Sequence, residues 1–498
     1  VRTGSIEKFE QTRQQFPISL LDILDIQGIG PKSVRKLYDE MGIESITDLE
    51  SALTTEKLPE LDGFGPKTIE NIRRSLKRMK KFDKRTLLMD VLPIARELQD
   101  NLRNAVNPRR VEAAGSFRRG RETVGDLDLL VTGVPEGTAG DFLVDHELVT
   151  EVLAHGDTKT SVVTNEGLQV DLREVEPGSF GAALLYFTGS KQHNVHLRGL
   201  ARERGWTINE YGLFDEDTGE KLAGETEESI YHALGFEWIP PELREDRGEF
   251  ERAREEDFSE LIECGDVMGD CHMHTTASDG RGSLREMVNA ARDRGHEYIV
   301  ITEHSRSLRV ADGLSVERLM EHQQSIRDLN QEMDDIKVFT GTEVDILEDG
   351  SLDYDSETLA KLDFVVAAIH SRFQLSGKTQ TQRLVKAIKH PEVDAIAHPS
   401  GRKLGRRDPY EVDMDRVLKT AAKESVYIEI NSNGERLDAN DRWCRHGRKY
   451  GVQFIINTDA HDVTHLDFLE LGVTTARRGG LNRDEVINTG AADELISE

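Results

Sequence analysis

The sequence predicts a multi-domain protein, an α+β half followed by an α/β half. Three observations predict it: a duplicated Gly-rich turn near the start, a D-x-D pair inside an apolar strand, and a C-terminal series of strands ending in His and carboxylates. The first implies a helical region, the second a strand-bearing domain, and the third a parallel β/α barrel or a near relative. At 498 residues the chain is long enough for several domains with sizeable cores.

Composition narrows the partners. The net charge of -29 is unfavourable for nucleic-acid binding, so any basic contacts must be concentrated locally. Of the 64 basic residues 43 are Arg and only 21 Lys, an acidic and lysine-poor balance that suits work in concentrated salt. The three cysteines, Cys264, Cys271 and Cys444, have no C-x-x-C spacing and form no disulfide framework. No apolar run approaches the roughly 18 residues of a membrane helix, and no charged-then-apolar leader opens the chain at Val1. The expectation is a soluble, cytoplasmic monomer with no membrane partner.

Residues 1–84 read as helices joined by Gly-rich turns. Leu24-Asp25-Ile26-Gln27-Gly28-Ile29-Gly30-Pro31-Lys32 and Leu58-Pro59-Glu60-Leu61-Asp62-Gly63-Phe64-Gly65-Pro66-Lys67 look like copies of one unit. Gly28, Gly30, Gly63 and Gly65 permit hairpins whose backbone N–H groups face a phosphate at the next helix start, and Lys32 and Lys67 add charge. This resembles the tandem helix-hairpin-helix motif, which grips DNA backbones without reading sequence.

Arg85–Leu102 has helical apolar spacing. Gly115-Ser116, followed by Arg118 and Arg119, then supplies a tight turn, a hydroxyl and guanidinium groups suited to phosphate oxygens. Asp126-x-Asp128 lies within the apolar run Leu127, Leu129, Leu130, Val131, where a strand points both carboxylates one way. Such a pair can hold one or two hard cations such as Mg²⁺. A D-x-D alone is an ordinary strand-end pair. The strand Gln169–Arg173 adds Asp171 as a third carboxylate, and Tyr186-Phe187-Thr188-Gly189-Ser190, Asn194 and Arg198 follow.

Together these stretches, from about Leu24 to Leu213, resemble the family X DNA polymerases, the polymerase beta-like nucleotidyltransferases. The resemblance implies a palm with a mixed sheet over residues 85–178 and a small thumb-like domain over 179–239 that binds the nucleotide and the nascent pair. It makes Asp126, Asp128 and Asp171 the catalytic metal ligands, for Mg²⁺ or Mn²⁺. It places Gly115, Ser116, Arg119 and Gly125 on the triphosphate. Tyr186, Phe187 and Gly189 would meet the sugar, with Asn194 and Arg198 at the minor-groove edge of the new pair. Two positions depart from the family: Val124 replaces a phosphate-binding serine, and Gln169 replaces an arginine beside Asp171. Almost nothing precedes the first hairpin, so most of the family's N-terminal small domain, with its 5′-deoxyribose-phosphate lyase, is expected to be missing.

Residues 240–266 are densely charged and read as a solvated helical linker. Beyond them, over 267–498, strands alternate with helices, and Ser283-x-x-Glu286 is a capping-box match opening one helix. His272-x-His274, Glu303-His304, Glu343, His370, His398 and Asp459-x-His461 stand at successive strand ends, where β/α barrels gather their sites. Six of the 16 histidines thus converge, with Asp279, Glu343 and Asp459 nearby. Imidazole with carboxylate favours Zn²⁺, Mn²⁺ or Fe²⁺ over Mg²⁺.

This segment resembles the PHP (polymerase and histidinol phosphatase) domain, which hydrolyses phosphoesters with up to three metals. The resemblance makes His272, His274, Asp279, His304, Glu343, His370, His398, Asp459 and His461 the ligands; Glu303 stands where Asp is commoner. Taken whole, the chain resembles bacterial and archaeal repair polymerases. It implies filling of short gaps in gapped or nicked DNA from dNTPs, with 3′→5′ exonuclease, apurinic-site endonuclease or 3′-phosphatase activity in the second site. The alternative is a 3′-end phosphoesterase whose polymerase half only positions DNA; a non-catalytic DNA-end adaptor is the third reading.

Overall fold

The computed structural model describes residues 16–495, apart from 18, 25, 27, 28, 55–57, 59, 60, 62, 83 and 84. Gly28, one of the expected DNA contacts, therefore lies outside the described residues. The chain divides into two compact units, Val1–Arg85 with Arg402–Pro409, and Thr86–Gly401 with Tyr410–Glu498.

In the first unit the helices are Leu20–Leu24, Pro31–Met41, Ile46–Thr54 and Pro66–Phe82. The duplication read from sequence repeats bond for bond. Ile29 N–H donates to Ile26 at 3.0 Å and Phe64 N–H to Leu61 at 3.0 Å; Val34 then bonds Gly30 at 2.9 Å and Ile69 bonds Gly65 at 3.1 Å. Each turn opens a helix with proline in the first position, where its missing N–H costs nothing. Lys32 and Lys67 follow, both exposed. Gly63, at φ 94°, occupies a conformation that favours glycine. Ile23, Leu37, Leu49, Leu58, Phe64 and Ile72 form the apolar interior.

The second unit begins with β1 (Thr86–Leu87), the helix Leu88–Val106, β2 (Arg110–Ala113), the short helix Gly115–Arg118 and β3 (Thr123–Val124). There follow β4 (Asp126–Thr132), β5 (Val149–His155), β6 (Lys159–Thr164) and β7 (Gln169–Glu174). Five of these form a sheet in the order β2-β4-β7-β6-β5. Only the β4–β7 pair is parallel, so the sheet is mixed. Leu127, Leu129 and Leu130 are fully buried beneath it.

Helices Phe180–Thr188 and Lys191–Arg202 lead to an antiparallel meander of β8 (Trp206–Asn209), β9 (Gly212–Asp215) and β10 (Lys221–Ala223). The stretch 240–266 departs from the expectation of a solvated linker. Phe250, Ala253, Phe258 and Leu261 close one core with Ile230, Tyr231 and Phe236. Arg244 is fully buried, its guanidinium paired to Glu227 at 2.6 Å and 3.1 Å. Charge density misled the reading because the buried charges are paired ones.

The last domain strings seven strands in sequence order: β11 (Gly269–Met273), β12 (Tyr298–Ile301), β13 (Lys337–Asp345), β14 (Phe364–Ala368), β15 (Ala395–Ile396), β16 (Tyr427–Asn431) and β17 (Phe454–Asn457). All six pairings are parallel, and a bridge between Met273 and Ala460 draws the two edges together into a nearly closed barrel. Ser283 and Glu286 make the predicted reciprocal cap on the helix Leu284–Asp293.

Candidate functional site

Strand register assembles the first site. On β4 the alternating pleat buries Leu127 and Leu129 and turns Asp126 and Asp128 to the open face. The parallel partner β7 sets Gln169 opposite Asp126 and Asp171 opposite Asp128. Burial, with the charges of Asp126 and Asp171, pushes the Asp128 carboxyl up to about 7. Asp171 moves the other way: burial would raise it, but hydrogen bonds from Gln169 and Ser161 and the nearby Lys159 outweigh that and lower it. Gln169 donates to Asp171 at 3.0 Å, so the amide orients the carboxylate where the family pattern has an arginine.

Gly115 opens its short helix at φ 63°, against the Asp128 carboxylate. Ser116 lies in the first turn, and Gly125 stands beside Asp126. Val124 is fully buried and offers nothing to a phosphate. Arg118, read from sequence as a phosphate contact, is instead committed elsewhere: it grips Glu227 at 2.7 Å and 2.8 Å and reaches Thr188 at 2.9 Å. Arg119 pairs with Glu245 at 3.2 Å and donates to the Thr188 carbonyl. Asn194 donates to the Tyr186 carbonyl at 2.8 Å, and Arg198 to the Asn194 carbonyl at 3.1 Å. Phe187 lies under the Arg173 guanidinium at 4.4 Å, and Tyr186 meets it edge-on. Gly189, at φ 70°, ends the helix carrying both aromatics.

The second site fills the barrel mouth. His274, Asp279, His304 and His461 form one group, His272, His274 and Asp459 a second, and His304, Glu343 and His370 a third; within each, candidate ligand atoms lie within 4.8 Å of one another. His398 stands outside the three groups but reaches Glu343 at 2.9 Å. Among the described residues such tight grouping occurs only here.

The donor set fits metal ions. His272 Nε2, both ring nitrogens of His274, His304 Nδ1, His398 Nδ1 and Glu343 Oε2 are buried and make no hydrogen bond. Orphaned polar atoms of this kind are costly unless something else satisfies them. His398 and Asp459 hold left-handed backbone at φ 27° and 53°, strain of a kind that concentrates at functional sites. Burial and the neighbouring His304 and His461 push the His274 ring down to about 4, while at His304 the charge of Glu343 and the hydrogen bond to Asp279 overcome burial and raise the ring to about 10.

Sequence reasoning missed the residues that hold the candidate ligands. Glu429 accepts from His272 Nδ1 at 2.6 Å, and Asp345 from His370 Nδ1 at 2.7 Å. Glu429 comes from β16, so the one strand without a ligand still supports one. Glu303 accepts from Thr275 and Ser278 and orders the turn after His274, a role its extra methylene does not prevent. The only sequence signal was two carboxylates, Asp345 and Glu429, on apolar strands.

Family models match the same regions: a SAM-like helix-hairpin-helix tandem over residues 20–78, the DNA polymerase beta thumb over 183–245, and the PHP domain over 270–433. The DNA polymerase/3′-5′ exonuclease PolX of Bacillus subtilis (strain 168) is 39% identical over 494 residues, covering 99% of this chain and 86% of that protein. A probable phosphatase of Caldicellulosiruptor saccharolyticus is 33% identical over 204 residues, 39% of this chain and 80% of its own length. Another, of Thermoanaerobacter sp. (strain X514), is 27% identical over 242 residues, 46% of this chain and 94% of its own. With helix-hairpin-helix, thumb and PHP regions in one order along its length, the chain belongs to the PolX family, the family X DNA polymerases that carry a C-terminal PHP domain.

Proposed function

We propose that this chain extends primers across short gaps in DNA at the Asp126–Asp128–Asp171 site and shortens 3′ ends at the barrel mouth, two steps of one repair task. The observation that carries the reading is the register that sets Asp128 opposite Asp171 beside Asp126, next to a glycine turn that only an uncluttered backbone can make. The full-length likeness to a polymerase/3′-5′ exonuclease supports it.

In this reading Asp126, Asp128 and Asp171 would hold two cations, Mg²⁺ or Mn²⁺, with Asp171 a ligand to the one that activates the primer hydroxyl. Bound there, the cations would lower the pKa of the primer 3′-hydroxyl and stabilise the pyrophosphate leaving group. Ser116, Arg119 and the backbone at Gly115 and Gly125 bind the triphosphate. Arg119 exchanges Glu245 for phosphate on the way, an exchange of one anionic partner for another. Tyr186 and Phe187 pack on the deoxyribose, with Asn194 and Arg198 at the minor-groove edge. Lys32 and Lys67 anchor the duplex backbone. At the barrel mouth the nine candidate ligands would hold up to three ions of Zn²⁺, Mn²⁺ or Fe²⁺, which would supply the activated water and the charge for hydrolysis of a phosphoester. The acidic, lysine-poor composition supports activity in concentrated salt.

The test uses a 5′-labelled primer on a gapped template with Mn²⁺, across a range of KCl. With dNTPs the primer lengthens; without them it shortens from its 3′ end. Shortening without lengthening would reduce the polymerase half to a DNA clamp.

A further inference from the structure

This acidic chain inverts its charge in a cleft of about 320 Å³, away from both candidate centres. The cleft lies between the thumb stretch 242–252 and two helices of the last domain, Asp441–Tyr450 and Leu469–Gly479. Arg445, Arg448 and Lys449 share one face of the first helix, by their i, i+3, i+4 spacing. Arg478 comes from the second helix, and Arg247 and Arg252 from the thumb. Six cations thus line the cleft against three carboxylates, Glu242, Glu245 and Glu249. In a chain of net charge -29, that local excess is a focused positive field.

The carboxylates there are shared too widely to cancel it. Asp441 Oδ2 faces Arg247 at 2.9 Å, Arg478 at 3.0 Å and Arg445 at 3.5 Å. Glu245 Oε1 faces Arg119 at 3.2 Å, Arg478 at 3.2 Å and Arg121 at 3.7 Å. Five guanidinium groups therefore divide two carboxylates. Across the cleft the pairing is one to one, Arg252 with Glu256 and Arg448 with Glu485 at 2.8 Å. Glu242 is spent on Arg477 at 2.7 Å, and Glu249 on His193 at 2.8 Å. Burial lowers the Arg445 pKa; Asp441 opposes this, and the charges of Arg247 and Arg478 add to the lowering. The walls are fixed. Arg252 donates to the Gly480 carbonyl at 3.0 Å and to Asn482 at 2.8 Å, and a Cβ at Gly479 would overlap Cys444.

Guanidinium groups that outnumber their carboxylates match an anion with many oxygens. A cleft of this volume takes a small molecule, and its cations converge from two walls instead of following a strand. We infer that the cleft binds the polyphosphate chain of a free nucleoside di- or triphosphate, as an effector site separate from both active centres. Arg478 links that site to the palm, since it shares Glu245 with Arg119 and donates to the Arg119 carbonyl. An anion in the cleft draws Arg478 off Glu245, which is left to Arg119 and Arg121. Arg119 is then held back from the incoming triphosphate, so filling the cleft weakens dNTP binding, and the reverse holds by linkage. The coupling rests on the polymerase reading of the palm; the binding does not.

The test titrates tripolyphosphate into the full-length protein by calorimetry, with chelator present so that neither metal centre contributes. Binding is expected, and Arg445→Ala should weaken it by about tenfold or more, the cost of one charge-assisted contact. Lys449→Ala, at an exposed position where folding is not at stake, should weaken it in the same direction. Absent binding, or affinity unchanged in both variants, would overturn the inference. So would displacement of tripolyphosphate by a short single-stranded oligonucleotide, which would make the cleft a contact for the DNA backbone. The coupling is read in primer extension at fixed free Mn²⁺. Tripolyphosphate should raise the dNTP KM about fivefold or more in the parent and less in Arg445→Ala. An equal rise in both would place the effect in the palm and overturn the coupling. If the parent extends no primer at all, the polymerase reading fails, while calorimetry still decides the cleft.

Discussion

A Cβ at Gly115 would lie 2.4 Å from Oδ2 of Asp128, and Gly115 itself sits at φ 63°. The Gly115 turn and β4 therefore touch at a point with no room for a side chain. Gly115→Ala meets two penalties, left-handed backbone and a displaced carboxylate. It should cost about 1–3 kcal/mol in folding stability and reduce primer extension by about 100-fold or more, with 3′-end shortening intact. A thermal melt and paired activity assays check this.

Asp128 gives a pH prediction with a definite sign. Its folded-state pKa is raised to about 7, so the folded, metal-free protein favours the protonated form. The stability that goes with that proton is full below the ordinary aspartate pKa of about 4 and is lost as pH rises from there through the folded value near 7. Asp128→Asn carries no such loss. The variant and the parent should melt at similar temperatures at about pH 4, and the variant should melt increasingly higher up to pH 8 when both are kept free of metal. Cation binding at this site in the parent should weaken as pH falls below 7, and release protons as it occurs.

Glu227 ties the palm to the thumb. It is buried and accepts from Arg118, from Arg244 and from the Trp238 indole at 3.1 Å. Burial would raise its pKa, but the charges of Arg244 and Arg118 hold it far below the carboxylate range. Glu227→Ala strands a fully buried Arg244 and should destabilise the protein by about 3–5 kcal/mol. The contribution is complete above the ordinary carboxylate pKa and is lost as pH falls through the folded value, so parent and variant should converge in strong acid.

The second sphere of the barrel centre can be tested through metal retention. Glu429 orients His272 and also accepts from Asn457 at 3.1 Å and from the His398 backbone at 2.8 Å. Glu429→Gln should lower metal affinity by about 10–100-fold. Dialysis against a graded chelator, with metal content read by mass spectrometry, measures it.

Much of this was legible in the sequence because the signals were local. D-x-D on an alternating strand, a duplicated G-x-G-P-K turn and histidines at strand ends each fix chemistry within a few residues. What stayed hidden depends on distant pairings. Glu429 lies 157 residues from the His272 it supports, and nothing in either segment announces the other. The 240–266 stretch looked solvated because its charges outnumber its apolar residues, yet Arg244 and Glu227 cancel inside the core. Gln169 shows the converse: at a position that departs from the family pattern, its amide still donates to Asp171 at 3.0 Å, a pairing the sequence alone did not reveal.

Two independent active sites on one chain are separated by reciprocal variants. Asp126→Ala and His272→Ala are assayed side by side for primer extension and 3′-end shortening on one gapped substrate. The account predicts that Asp126→Ala abolishes extension and spares shortening, and that His272→Ala does the reverse. Extension surviving in Asp126→Ala, or both activities lost together in either folded variant, would contradict it.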